Sequence, residues 1–226
     1  MIFDKNYMLA EMHLLKAPVL NNCRILAPYN ADDYYYEEIL KFAADSYFFE
    51  TYQVIVWAGA RLQPKVIMEI GSRNGGSLIQ LLSMYSSYDH LDVTCFDLWR
   101  EIGSPEAIKR NLGLLNIPST PITFITGDSR RTIPTYRQAN PEKKFDYILV
   151  DGGHEQEIAR CDLSHAFEMV ASGGIIIFDD ITPLSYNLKG VWDQFRNQYS
   201  HQFMFYESTW RKGVAWAIKQ YQYVGK

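Results

Sequence analysis

Tyr147-Ile148-Leu149-Val150-Asp151-Gly152-Gly153-His154 and, further along, Ile175-Ile176-Ile177-Phe178-Asp179-Asp180 decide how this chain folds. Each is a run of β-formers that stops at a carboxylate. Unbroken apolar runs of this kind read as parallel strands buried on both faces, delivering their acids to one edge of a sheet. That carboxyl edge is where open α/β sheets bind ligands. Three carboxylates from two strand ends suit a hard cation such as Mg²⁺ or Mn²⁺, which both take oxygen ligands, so Asp151, Asp179 and Asp180 are the candidate metal ligands. His154 stands beside them.

Similar strand candidates precede this pair at Val66–Met68, Val93–Phe96 and Ile122–Ile125. Helical spacing intervenes at Leu78, Leu81, Leu82 and Tyr85, at Ile108, Leu112 and Leu115, and at Ile158, Cys161, Ala166, Met169 and Val170. Strands alternating with helices predict right-handed crossovers and an α/β, doubly wound, mostly parallel sheet. The tail predicts a helix over Val191–Tyr199, with Trp192, Phe195 and Tyr199 as core, and strands over His201–Tyr206 and Gly213–Ile218. An antiparallel hairpin would thus close the sheet. Residues 1–62 are aromatic-rich, with Tyr34-Tyr35-Tyr36 and Tyr47-Phe48-Phe49. They predict a helical cap or lid, or a surface for homo-oligomerisation, on a catalytic unit spanning 63–226.

Composition narrows the class. The 226 residues are 47% hydrophobic and 21% charged, which suits a sizeable core. A net charge of −4 without a Lys/Arg-rich run disfavours nucleic-acid partners. Cys23, Cys95 and Cys161 are scattered, and the last two fall on apolar patterns, as small core residues of a reducing compartment do. Neither a membrane span nor a signal peptide is legible, so the expected location is the cytoplasm.

The other strand ends carry further candidates. Strand one runs into Glu69-Ile70-Gly71-Ser72-Arg73-Asn74-Gly75-Gly76-Ser77, a glycine turn before a helix that can approach a ligand closely. No G-x-G-x-x-G can be written there, which disfavours a nicotinamide oxidoreductase. Asp97 ends strand two and can accept hydrogen bonds from ribose hydroxyls. Leu98 and Trp99 follow it, and Trp99 would stack on a base or pack in the core. Gly127-Asp128-Ser129 ends strand three, where Asp128 and Ser129 would flank a nucleobase or simply cap the next helix. Asp162 reads as a solvated helix acid or an ion-pair partner.

In order and spacing, Glu69, Gly71, Gly75, Ser77, Asp97 and Asp128 resemble the cofactor motifs of class I S-adenosylmethionine-dependent methyltransferases. The set Asp151, Asp179 and Asp180 resembles their metal-dependent O-methyltransferase branch. The resemblance implies a seven-stranded Rossmann-like fold and assigns roles. Glu69 and Gly71 would shape the methionine side of the pocket, and Ser77 with the loop around Ser72 and Gly75 would take its carboxylate. Asp97 would hold the ribose. Asp128, with Ser129 close by, would reach the adenine. Asp-Gly-x-His at 151–154 and the doubled acid at 179–180 are most similar to macrocin-type enzymes, which methylate sugar hydroxyls of natural products. Catechol and caffeoyl-CoA methyltransferases typically carry Lys at the position of His154 and Asn at that of Asp180. The expected activity is Mg²⁺-dependent O-methylation of a small hydroxylated metabolite, with His154 as general base. A metal-independent methyltransferase and a non-catalytic cofactor-binding partner subunit are the competing expectations.

Overall fold

The computed structural model describes residues 4–31, 35–42, 45, 50–100, 102–118 and 121–221. Tyr34 and Tyr47-Phe48-Phe49 fall outside them. The chain divides into two compact units, one of Met1–Gln63, Ser72–Asp89 and Trp99–Thr120, the other of Pro64–Gly71, His90–Leu98 and Pro121–Lys226.

The first unit is helical, with α1 (Lys5–Leu14), α2 (Lys16–Leu26), α3 (Tyr35–Lys41), α4 (Thr51–Leu62), α5 (Gly76–Leu82) and α6 (Pro105–Leu114). The helices after the first two strands thus group with the N-terminal segment. α4 starts at a reciprocal capping box, in which the Glu50 side chain accepts from the Gln53 N–H and the Gln53 side chain accepts from the Glu50 N–H. Buried amides tie these helices together. Asn22 donates to Gln80 Oε1 at 2.8 Å and to Ser83 Oγ at 2.9 Å, and Gln53 donates to the Met12 carbonyl. Of the tyrosine triplet, Tyr36 is buried and Tyr35 meets Tyr52 edge-on.

The second unit holds the seven-stranded sheet. Its strands are β1 (Val66–Ile70), β2 (Asp92–Asp97), β3 (Ile122–Thr126), β4 (Phe145–Val150), β5 (Val170–Asp179), β6 (Phe203–Ser208) and β7 (Val214–Lys219), in the order β3-β2-β1-β4-β5-β7-β6. β7 runs antiparallel between β5 and β6, and the other pairings are parallel. The expected hairpin is there, and the fold is the Rossmann-like methyltransferase architecture. The third expected helix ends earlier than its pattern: α8 covers Gln156–Met169, and Val170 already opens β5.

Register does the positioning. Ile70 is level with Phe96 and Val150, Phe96 with Ile125, and Val150 with Phe178. The residues that follow, Gly71, Asp97, Thr126, Asp151 and Asp179, therefore emerge in one row at the carboxyl edge. The order reverses between β1 and β4, so Gly71 and Asp151 flank the switch point where such sheets open a crevice. One face of the sheet carries Met68, Ile70, Phe96, Ile148, Val150, Ile176 and Phe178. It packs with Ala159, Leu163, Ala166 and Met169 of α8 and with Val191, Trp192 and Phe195 of α9 (Lys189–Tyr199) into one cluster. The Trp192 and Phe195 assignments hold, with Tyr199 stacked on Phe167 at the rim. Cys95 is buried as expected. Cys161 is half-buried instead, because the inward row of α8 passes through Ala159, Leu163 and Ala166 while Cys161 turns to His165 at 3.4 Å.

β1 is pinned at its start by a contact that the apolar pattern does not show. One oxygen of Asp146 accepts both the Lys65 and the Val66 N–H at 3.0 Å, fastening β1 beside β4. Asp146→Ala should cost about 1.5–3 kcal/mol of stability, the range for hydrogen bonds to charged groups. Urea denaturation measures it, and a loss near zero would show the staple to be dispensable.

Candidate active site

Asp151 leaves β4 at the switch point. Its N–H donates to the Ile70 carbonyl at 2.9 Å, so the backbone is fixed one residue beyond the strand. Gly71 lies against it. A Cβ on Gly71 would stand 1.9 Å from the Asp151 carbonyl oxygen, and the backbone there has φ +87°, so no other residue fits without moving the turn.

β5 ends at Asp179, and Asp180 turns the chain with φ +62°. Asp180 is 3% exposed. Burial works to raise its carboxyl, but hydrogen bonds from His154 and Ser185 and the charge of Lys212 outweigh it and hold the group below its ordinary value. His154 Nε2 lies 3.2 Å from Asp180 Oδ2, and the Ser185 hydroxyl donates to Oδ1. Donor atoms of Asp151, His154 and Asp180 all lie within 4.8 Å of one another. Val150, Ala159, Phe178 and Leu188 also line their small recess.

The expected ligand trio was Asp151, Asp179 and Asp180, with His154 outside it. The structure instead brings His154 together with Asp151 and Asp180. Asp179 lines the recess but lies outside the three-residue group. Asp179 is the last residue of β5, whereas Asp180 lies in the left-handed turn after it, so the two carboxylates leave the backbone in different directions.

Asp97 is the last residue of β2 and accepts the Gly127 N–H through its carbonyl at 2.9 Å, and Leu98 after it is exposed. Glu69 is fully buried within β1. Asp128 realises the capping alternative. Its side chain accepts the Arg130 N–H at the start of α7 (Ser129–Ala139), and the Arg130 guanidinium grips both of its oxygens. Hydrogen bonding to Arg130 holds the Asp128 carboxyl down at about 2. Ser129 is the first residue of that helix.

In the helical unit, Gly75 takes φ +75° at the N-cap of α5 and makes no side-chain cap. Ser72 and Ser77 are buried, and the Ser72 Oγ finds no hydrogen-bond partner among the described residues. A buried hydroxyl left unsatisfied is a fitting contact for a polar ligand. Trp99 is not core: it is half-buried, with φ +41°, and its Nε1 donates to the Arg73 carbonyl at 3.0 Å.

Sequence reasoning missed Asp162. It is buried rather than solvated, and a Cβ on Gly152 would lie 3.0 Å from its Oδ2. Burial raises its carboxyl to about 6, reinforced by the charge of Asp128. Its place on α8, at helical spacing from Ile158 and Ala166, was the available signal.

The chain belongs to the methyltransferase-domain family, whose sequence profile matches residues 68–181. No curated protein matches it in sequence. Among solved structures it is similar to the O-methyltransferase TomG of Streptomyces achromogenes, which acts in tomaymycin synthesis and was solved with S-adenosylmethionine. The identity is 14%, covering 98% of this chain and 100% of that one, with a TM-score of 0.59. The O-methyltransferase of Bacillus cereus, solved with S-adenosylhomocysteine, is 17% identical over 81% of this chain and 90% of its own, with a TM-score of 0.55. The O-methyltransferase NovP is 18% identical over 75% and 79%, with a TM-score of 0.58. Among the described residues no helix is long and apolar enough to cross a membrane.

Asp162 makes stability depend on pH in a stated direction. A carboxyl near 6 in the fold and 3.8 in the open chain binds more protons when folded, so stability falls as pH rises between those values. Asp162→Asn should remove that decline and raise stability at pH 7 by about 2–3 kcal/mol. Thermal melts from pH 4 to 7 test this, and parallel curves for both proteins would contradict it.

Proposed function

We propose that this protein is an S-adenosylmethionine-dependent O-methyltransferase. It uses Mg²⁺ or Mn²⁺ and acts on a hydroxyl of a small metabolite, a sugar or a glycosylated natural product. One observation carries the reading: two carboxylates and an imidazole converge at the ends of β4 and β5, beside the switch point of a methyltransferase sheet. Resemblance to macrocin-type enzymes supports the sugar, and likeness to TomG, which acts in tomaymycin synthesis, supports a natural-product acceptor.

The donor set fits a divalent cation. Asp151 and Asp180 offer hard oxygens and His154 a nitrogen that Mn²⁺ and Mg²⁺ sites tolerate less often, which makes Asp151 and Asp180 the principal ligands. Asp179 is proposed as an outer contact. For the cofactor we propose Glu69, Gly71, Asp97, Leu98, Gly127, Asp128, Ser129 and Asp151 along the edge of the sheet. Bound together, the cofactor would supply an electrophilic methyl group, and the cation would lower the pKa of a hydroxyl and fix its place.

The chain's own residues do the rest. With the Asp180 carboxylate as acceptor, His154 carries its proton on Nε2, leaving the lone pair on Nδ1 to receive the acceptor's proton. Val150, Phe178 and Leu188 contribute the apolar part of the lining beside it. Fixed strand ends hold the reacting groups in line, as a direct displacement requires.

The 3.2 Å contact between His154 and Asp180 also favours a second reading, a metal-independent methyltransferase in which Asp180 orients His154 as the base. Chelation separates the two. Turnover of S-adenosylmethionine with a hydroxylated acceptor panel should vanish in EDTA and return with Mg²⁺, and turnover that survives EDTA would select the dyad. Asp180→Asn should lower kcat at least about a hundredfold under either reading, since each gives Asp180 a contact with the reacting machinery. An unaltered kcat would remove Asp180 from the site.

A further inference from the structure

His154 is held by more than Asp180. The Tyr186 ring stacks on the imidazole, with centroids 3.6 Å apart and planes 15° apart. Tyr186 is 53% exposed, so core packing does not explain its place. It sits on the turn between Asp180 and α9, and that turn is closed by its own hydrogen bonds. The Leu188 N–H donates to the Asp180 carbonyl at 3.1 Å, and the Ser185 and Asn187 N–H groups donate to the Thr182 carbonyl at 3.1 and 3.0 Å. The Thr182 N–H in turn donates to the Lys212 carbonyl at 2.9 Å, and Leu188 is buried in the core. Tyr186 thus projects from a fastened turn.

We propose that Tyr186 is a positioning residue for His154, fixing the plane of the imidazole while Asp180 fixes its in-plane direction. A single hydrogen bond at Nε2 leaves the ring free to rotate about the N···O line. A second ring lying flat against one face removes that freedom. For a base the gain is large, because small misplacements of a reacting group cost up to about a hundredfold in rate. The stack also covers one face of His154. No hydroxyl is needed for this, only an aromatic face. The inference rests on the proposed role of His154, but the stack itself can be tested without any turnover.

Diethyl pyrocarbonate, which acylates neutral imidazoles, reads the access and freedom of each histidine. Peptide mass spectrometry would follow His154, with the exposed His13, His90 and His201 as internal references. In Tyr186→Ala, His154 should react several-fold faster than in the unaltered protein while the references keep their rates. In Tyr186→Phe it should react at the original rate. Equal His154 rates in all three proteins would overturn the proposal. Where an acceptor supports turnover, Tyr186→Ala should lower kcat without changing the KM for S-adenosylmethionine, and Tyr186→Phe should restore it. A shift in that KM alone would also contradict the positioning role. Absence of any turnover would sink the methyltransferase reading and leave the reactivity result standing.

Discussion

The parallel register of β1 with β2 and β4, and of β4 with β5, is the constraint on which the site depends. It puts Gly71, Asp97, Asp151 and Asp179 at the same height on one edge. A slip of one residue would send every side chain to the other face, exposing Ile148, Val150, Ile176 and Phe178 to the wrong environment. Burial of those residues against α8 and α9 therefore enforces the register, and the register places the acids. Asp146 adds a polar lock at the opposite end of β1, where two backbone N–H groups meet one carboxylate.

Upon that frame the electrostatics of the edge are local. Asp180 is nearly buried, yet its carboxylate stays charged because a hydroxyl, an imidazole and a nearby lysine each favour the anion. In Asp162, on α8 of the same unit, burial meets weaker compensation and pushes the carboxyl up to about 6. The contrast shows how two buried acids, one in the turn after β5 and one on α8, come to differ: the donors around each decide. An anion held ready at Asp180 suits a cation or a protonated imidazole, and both readings of the reaction draw on it.

Much of this was legible in the sequence because apolar runs ending in acids specify both strand and edge. All seven strands could be placed from β-rich runs, and the tail's antiparallel pair from its turn-rich spacing. Boundaries slipped where pattern and backbone diverge, as at Val170, whose apolar side chain fits a helix face and a buried strand equally. Of the three carboxylates named as metal ligands, Asp151 and Asp180 converge with His154. Asp179 and Asp180 look equivalent in sequence, but Asp179 ends β5 while Asp180 stands in a left-handed turn, and it is Asp180 that meets His154. Asp128 was open between capping and ligand contact, and Arg130, two residues on, binds it through a fork that no motif announces. Tyr186 carried no signal at all, since a turn tyrosine reads as surface until its ring is seen against His154.

The central claim is that the ends of β4 and β5 hold a divalent cation beside a bound methyl donor. Crystals grown with S-adenosylhomocysteine and Mn²⁺, measured at the manganese absorption edge, test it most directly. The account predicts an anomalous peak within ligand distance of Asp151 and Asp180, with the nucleoside lying along the edge from Asp97 to Asp151. Ordered S-adenosylhomocysteine with no anomalous density at those carboxylates would contradict it.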